Sequence, residues 1–216
     1  MIYNVPPICR KPVIVFDGIV RGNGEMYMGN YQFTNDFKYQ CANGETLQKI
    51  VAGYVTGSGY TCIGQFNGYA QLYGLASTFG ESNGDGGSYS PWGIYINTPI
   101  QLTNKKKLVI NAAHSYYHSG SGTVSTNDAP ICTYLFSNIY ANMYSNNVRS
   151  VEVPSCPAYP NGIPDYNVEL IIPDPEEIVL DVSDLSGEYY VGFSVDRSAS
   201  TIANYYYLNI GEIMAF

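Results

Sequence analysis

The sequence predicts an all-β protein, a two-sheet antiparallel β-sandwich, and three observations carry that prediction. Apolar and polar residues alternate at period two through many short segments, turn signals separate those segments, and no segment sustains a helical period with a cap at each end. The stretch that begins at Ile178 is the clearest case. Ile178, Leu180 and Val182 alternate with Val179, Asp181 and Ser183, the pattern of a strand with one buried face. After the turn Asp184-Leu185-Ser186-Gly187 the alternation resumes, with Tyr189, Val191, Phe193 and Val195 on one side. Gly192 faces the other way and admits a close neighbour.

The remaining elements follow in chain order. Pro6, Pro7 and Pro12 frame an extended N-terminal arm with a short apolar run over 13–16. Residues 26–37, rich in Tyr, Met and Phe, make one or two strands. Asn43-Gly44 is a turn, 47–55 a strand, and Gly57 and Gly59 turn the chain into a strand over 60–66 that Asn67-Gly68 ends. Residues 77–92 form a long polar loop, and loops of that length in compact domains carry function or move. Strands are expected over 94–102, 107–117, 131–137, 148–153 and 168–172, and a last aromatic strand over 205–216. A soft segment, 118–130, and a proline-rich loop, 154–164, separate some of them. The total of about ten to twelve short strands fits two packed antiparallel sheets. Residues 1–45 read as an attachment arm with added strands, and 46–216 as the sandwich domain, a self-contained module that closes on its final strand.

Composition narrows the function classes. At 216 residues, 45% hydrophobic and only 13% charged, the chain buries a large core and is not disordered. Its 22 tyrosines, against one tryptophan, suit strands and also suit surfaces that are both apolar and wet. A net charge of −8 repels phosphate backbones, so nucleic-acid binding is not expected, and Lys105-Lys106-Lys107 reads as a solvated connection. No stretch has the length of a membrane-spanning helix, so no membrane insertion is expected. The N-terminus lacks the basic start, long apolar stretch and cleavage site of a secretory signal, which implies synthesis in the cytoplasm. The five cysteines, Cys9, Cys41, Cys62, Cys132 and Cys156, show no CxxC spacing and read as free thiols.

Candidate chemistry is sparse. His114 and His118 lie about 13 Å apart on a strand that rises roughly 3.3 Å per residue, too far to share a metal; both read as partly buried or loop-edge histidines. Asn83-Gly-Asp-Gly-Gly87 lacks the closing glutamate of a calcium loop and the lysine and helix of a phosphate loop. Nine of the 18 acidic residues fall between Asp165 and Asp196, where they alternate with apolar residues or sit in turns and so read as solvated faces. No GxSxG elbow is present. The sequence therefore predicts no catalytic residue, no metal site and no cofactor. Trp92 is the residue that stands out. It either plugs one end of the sandwich and pins its loop, or, beside Tyr89 and Pro91, forms a platform for a sugar ring with Asp85 and Asn83 binding hydroxyls.

Two stretches carry a family resemblance when taken in order: 98–112, where Pro99-Ile100 and Leu102-Thr103 precede a strand, and 178–193, with its Leu185-Ser186-Gly187 turn before Tyr189-Tyr190-Val191-Gly192. Together they resemble the jelly-roll, galactose-binding-like β-sandwich modules of tailed-phage tail, fibre and baseplate proteins and of some bacterial surface proteins. The resemblance runs from about residue 60 to 216. It implies a jelly-roll sandwich and a non-catalytic role. The expected role is that of a structural subunit of a tailed-phage virion, in the tail, baseplate or neck, whose partners are other virion proteins and copies of itself. The alternative it implies is an adhesion module for host cell-surface glycan, with Trp92, Tyr89, Asp85 and Asn83 as the candidate site.

Overall fold

The computed structural model describes residues 12–21, 26–27, 30–31, 36–40, 62–75, 92–117, 129–159, 169–196 and 205–216. Fifteen strands run through them: β1 (Val13–Asp17), β2 (Met26–Tyr27), β3 (Asn30–Tyr31), β4 (Phe37–Gln40), β5 (Cys62–Phe66), β6 (Tyr69–Leu75), β7 (Gly93–Ile96), β8 (Ile100–Gln101), β9 (Lys107–Tyr117), β10 (Ile131–Phe136), β11 (Asn147–Glu152), β12 (Ser155–Pro157), β13 (Glu176–Asp181), β14 (Glu188–Val195) and β15 (Tyr205–Ala215). A single helical turn, α1 (Met143–Asn146), precedes β11.

Two sheets face each other across one core, as the alternation predicts. The first has the order β12-β9-β15-β6-β5, with β13 sharing the outer edge of β9 and β1 sharing the outer edge of β15. The second has the order β11-β10-β14-β7-β4, with β8 beside β7 along β14. From β7 onward the chain repeatedly crosses between them: β7 and β8 lie in the second sheet, β9 in the first, β10 and β11 in the second, β12 and β13 in the first, β14 in the second and β15 in the first. Crossing connections of this kind build double-sheet jelly rolls.

The core is made by the inward members of each alternation. Ile178, Leu180 and Val182 from one sheet meet Val191, Phe193 and Val195 from the other, together with Leu72, Ile94, Ile110, Leu135 and Leu208. Val179, between two buried neighbours, is exposed. Phe16 of β1 and Phe37 of β4 close one end of the core across the sheets, ring centroids 5.3 Å apart and nearly perpendicular. Among the described residues, segments 13–17 and 37–40 are thus edge strands of the two sheets and share their core. Arg149 of β11 ties the second sheet to the first: its Nε donates to the Asp181 carbonyl and its Nη2 to Asp184.

Asn67 and Gly68 both have positive φ, 45° and 87°, which suits a two-residue hairpin between the paired residues Phe66 and Tyr69. Several sequence expectations change. The strand over 94–102 is two pieces, β7 and β8, because Pro99 has no amide to donate to a ladder. The proline-rich loop contains β12, which runs parallel to β9 through Ser155↔His114 and Cys156↔Ser115. Residues 169–175 are not a strand; they cross the first sheet, where Pro173 accepts from Asn209 Nδ2. The expected strand over 47–55, the Asn43-Gly44 turn and the loops 77–91 and 118–128 lie outside the described residues.

Candidate contact surfaces

Of the four residues named for a glycan site, Trp92 is described; Tyr89, Asp85 and Asn83 lie outside the described residues. Trp92 is half-buried, and its amide donates to the Gln40 carbonyl at 2.7 Å, so it extends the pairing of β4 with β7 by one residue. Gly93 follows with φ +138, where a Cβ would sit 2.6 Å from the Phe193 carbonyl oxygen. A side chain is excluded there by backbone, so the chain enters β7 pressed against β14.

His114 is not a loop-edge residue. It is 0% exposed on the core face of β9, beside Tyr116 and Tyr206. Its Nε2 accepts from the Ile131 amide at 3.4 Å, and its Nδ1 has no partner. Burial pushes its pKa down to about 3, with the Val153 backbone offsetting part of the effect. His118 lies outside the described residues, and so do Cys9 and Cys41, while Cys132 and Cys156 are half-buried free thiols.

Three surface features emerge, the first of which the sequence reading did not single out. The first is a flap over the outer face of the second sheet, residues 137–147. Gln40 holds it from β4: Oε1 accepts from the Met143 amide at 2.7 Å, and Nε2 donates to the carbonyls of Ala141 at 2.7 Å and Asn138 at 3.3 Å. Met143 is fully buried with Tyr95, Tyr134 and Phe136 in a second, smaller apolar cluster, against which Tyr190 and Ile139 pack. Glycines make room for it. A Cβ at Gly192 would lie 2.8 Å from both Sδ and Cε of Met143, so the close neighbour expected at Gly192 is the Met143 side chain. The flap's outward side chains are Asn138, Tyr140, Tyr144, Ser145 and Asn146, with Tyr140 65% exposed and Tyr144 36%.

The second feature is a bank of half-buried tyrosines on the outer face of the first sheet. Tyr205 stacks on Tyr117 at 4.8 Å and on Tyr73 at 5.7 Å, Tyr207 lies 4.6 Å from Tyr73, and Tyr159 meets Tyr117 edge-on. The hydroxyls of Tyr73 and Tyr117 are 2.9 Å apart. Burial raises the pKa of both phenols. The rings lie face to face, so they cover one another more than they offer flat faces to a ligand. The triplet Tyr205-Tyr206-Tyr207 carried the signal: period two sends Tyr206 into the core, fully buried, and its neighbours out.

The third feature is the edge formed by β1. Val13 is 50% and Ile14 57% exposed, and Phe216, next to the Val13 partner Ala215, is exposed too. Beyond the strand, Arg21 pairs with the Asp17 carboxylate, which it holds below the usual carboxylate range, and the Arg21 amide donates to Asp36.

Among the described residues no three His, Cys, Asp or Glu side chains group to hold a metal ion, and no helix is long and apolar enough to cross a membrane. No protein-family model matches the chain, and no similar curated protein is found.

Proposed function

We propose that this chain is a non-catalytic structural subunit of a tailed-bacteriophage virion that docks on a neighbouring subunit, another copy or a different virion protein, through its N-terminal edge. The virion assignment rests on the resemblance of 98–112 and 178–193; the docking assignment rests on β1. Edge strands of soluble proteins usually carry charge, proline or cover against pairing with another chain. Within β1 the only charge is Asp17, at the far end, and the start of the strand presents Val13 and Ile14 to solvent beside Phe216. Lys11 and Pro12 precede the strand and a bulge lies between Ile14 and Phe16, features that blunt strand pairing, so the exposed apolar side chains suit side-chain contact by a partner rather than strand addition.

The test is sedimentation velocity of the purified chain across a concentration series, with the double variant Val13→Lys, Ile14→Lys alongside. The expected result is self-association by the natural sequence that the variant loses while keeping its thermal midpoint. Incorporation of each into particles, by complementation of a host-grown phage, reads docking on other virion proteins. Monomer behaviour together with normal incorporation of the variant would overturn the proposal.

A further inference from the structure

We propose that the 137–147 flap is a binding site for an uncharged polysaccharide. The inference does not depend on the assembly reading, since the site and the β1 edge lie on different sheets.

The flap sequence, Ser-Asn-Ile-Tyr-Ala-Asn-Met-Tyr-Ser-Asn-Asn, has no charged residue in eleven positions. Its composition of Tyr, Asn and Ser is that of binding loops that combine rigid aromatic area with adaptable hydrogen bonding. The structure sorts these residues by direction. The aliphatic ones turn inward, Met143 into the glycine-lined notch and Ile139 against the aromatic cluster, whereas the Tyr140 ring remains outside and the Tyr144 ring stands partly out, edge-on to Tyr134. What faces solvent is therefore aromatic ring, amide and hydroxyl, with little of the aliphatic area that forms the middle of a protein–protein interface.

The amides are half used. Asn138 Oδ1 accepts from the Tyr140 amide and Asn142 Oδ1 from the Tyr144 amide. Asn146 Nδ2 donates to the Asn142 carbonyl, and Asn147 Nδ2 to the carbonyls of Met143 and Tyr144. Each asparagine thus spends one end of its amide on fixing the flap. The Nδ2 donors of Asn138 and Asn142 and the Oδ1 acceptors of Asn146 and Asn147 make no bond within the described residues. Neutral donors and acceptors beside exposed rings match a sugar, which offers C–H faces for stacking and hydroxyls that both donate and accept. An acidic polymer finds no cation on the flap; Arg149, just beyond it, is engaged by Asp184 and the Asp181 carbonyl. The net charge of −8 disfavours polyanions further.

Rigidity supports the assignment. Gln40 holds three backbone groups of the flap and Met143 anchors it, so little ordering entropy is lost on binding. The Gln40 carbonyl also accepts from the Trp92 amide, so the strand that holds the flap continues into the backbone of the chain's one tryptophan, whose emission is followed as a readout.

The experiment is affinity electrophoresis of the whole chain through gels containing galactomannan, mixed-linkage β-glucan or amylopectin, with polygalacturonate as the acidic comparison. Trp92 fluorescence is followed with the same polymers in solution. The expected result is retardation by at least one neutral polymer, insensitive to added salt, and a change in Trp92 emission. Tyr140→Ala and Tyr144→Ala should each weaken binding about fivefold, since a stacked ring contributes on the order of 1 kcal/mol beyond its area. Tyr140→Phe, which keeps the ring, should retain most of it. No retardation by any neutral polymer would overturn the proposal. So would equal retardation of the alanine variants, or salt-sensitive capture by polygalacturonate instead. Sedimentation of the same samples reports the β1 contact separately, so loss of one activity is distinguishable from loss of the other.

Discussion

At the scale of single residues, His114 is the most consequential side chain in the core. Charging it means placing an imidazolium, fully desolvated, beside Tyr206, with the added proton on Nε2, the atom that accepts from the Ile131 amide. Its folded pKa, about 3, lies below the value of roughly 6.5 that an unfolded histidine shows. The folded protein therefore binds fewer protons than the unfolded one between these limits. The stability that neutral His114 confers is fully present above about pH 6.5 and falls as pH is lowered towards 3, by up to about 1.4 kcal/mol per pH unit. Urea unfolding from pH 7 to pH 4 should show the midpoint falling steadily for the natural chain. His114→Leu, close in volume and unable to titrate, should flatten that slope even if it shifts the midpoint at pH 7. Parallel slopes for the two would mean that other groups carry the acid sensitivity. Asp17, Asp181 and Asp184, whose pKa values are lowered, act in the same direction but only below about pH 4, so the difference between the two proteins above that pH isolates the histidine.

At the scale of the element, β1 divides its work between two faces. Phe16 is buried against Phe37, whereas Val13 and Ile14 face solvent. Phe16→Ala should destabilise the fold by about 3 to 5 kcal/mol through lost packing and a cavity. The lysine pair at 13 and 14 should change stability by less than about 1 kcal/mol, as surface substitutions usually do. Chemical denaturation of both variants checks the split; a large loss from the lysine pair would mean that this edge is covered. The elements also show what a sequence makes legible. β9 and the first half of β15 could be read directly, because Leu108, Ile110 and Ala112 and then Tyr206, Leu208 and Ile210 keep one phase; the bulge after Ile210, which moves the inward phase to Ile213 and Ala215, could not. β12 could not: three residues with a proline at the end look like loop, and their strand character comes from β9, about 40 positions earlier in the chain. The flap was hidden for a related reason. Nothing local at Gly93, Gly192 or Met143 shows that the three meet; the glycines signalled a close approach, and only the assembled sheet supplies the partner. Trp92 was legible because it is unique, whereas Tyr140 and Tyr144 were lost among 22 tyrosines. A charge-free run of eleven residues was the signal available for them.

At the scale of the whole molecule, one core binds both sheets, and β15 is central to it. β15 pairs with β9 along nearly its full length, and its other edge holds β6 and β1 in turn, with a bulge between Ile210 and Ile213 where the partners change. Removing residues 211–216 takes Ile213 and Ala215 from the core and leaves β1 without a partner. Such a truncation should lose the cooperative thermal transition that the intact chain shows by circular dichroism. A retained transition with an unchanged midpoint would make the end of β15 dispensable. The pairing of Val13 with Ala215 also has a temporal side. A ribosome adding about 5 to 20 residues per second needs on the order of ten seconds or more to make the chain between them. Through most of that interval the uncharged start of β1 is outside the ribosome while its mate is still unmade. The same edge proposed as a docking surface in the finished protein is thus, during synthesis, a strand seeking a partner, and a chain already completed nearby can offer itself before the rightful one arrives.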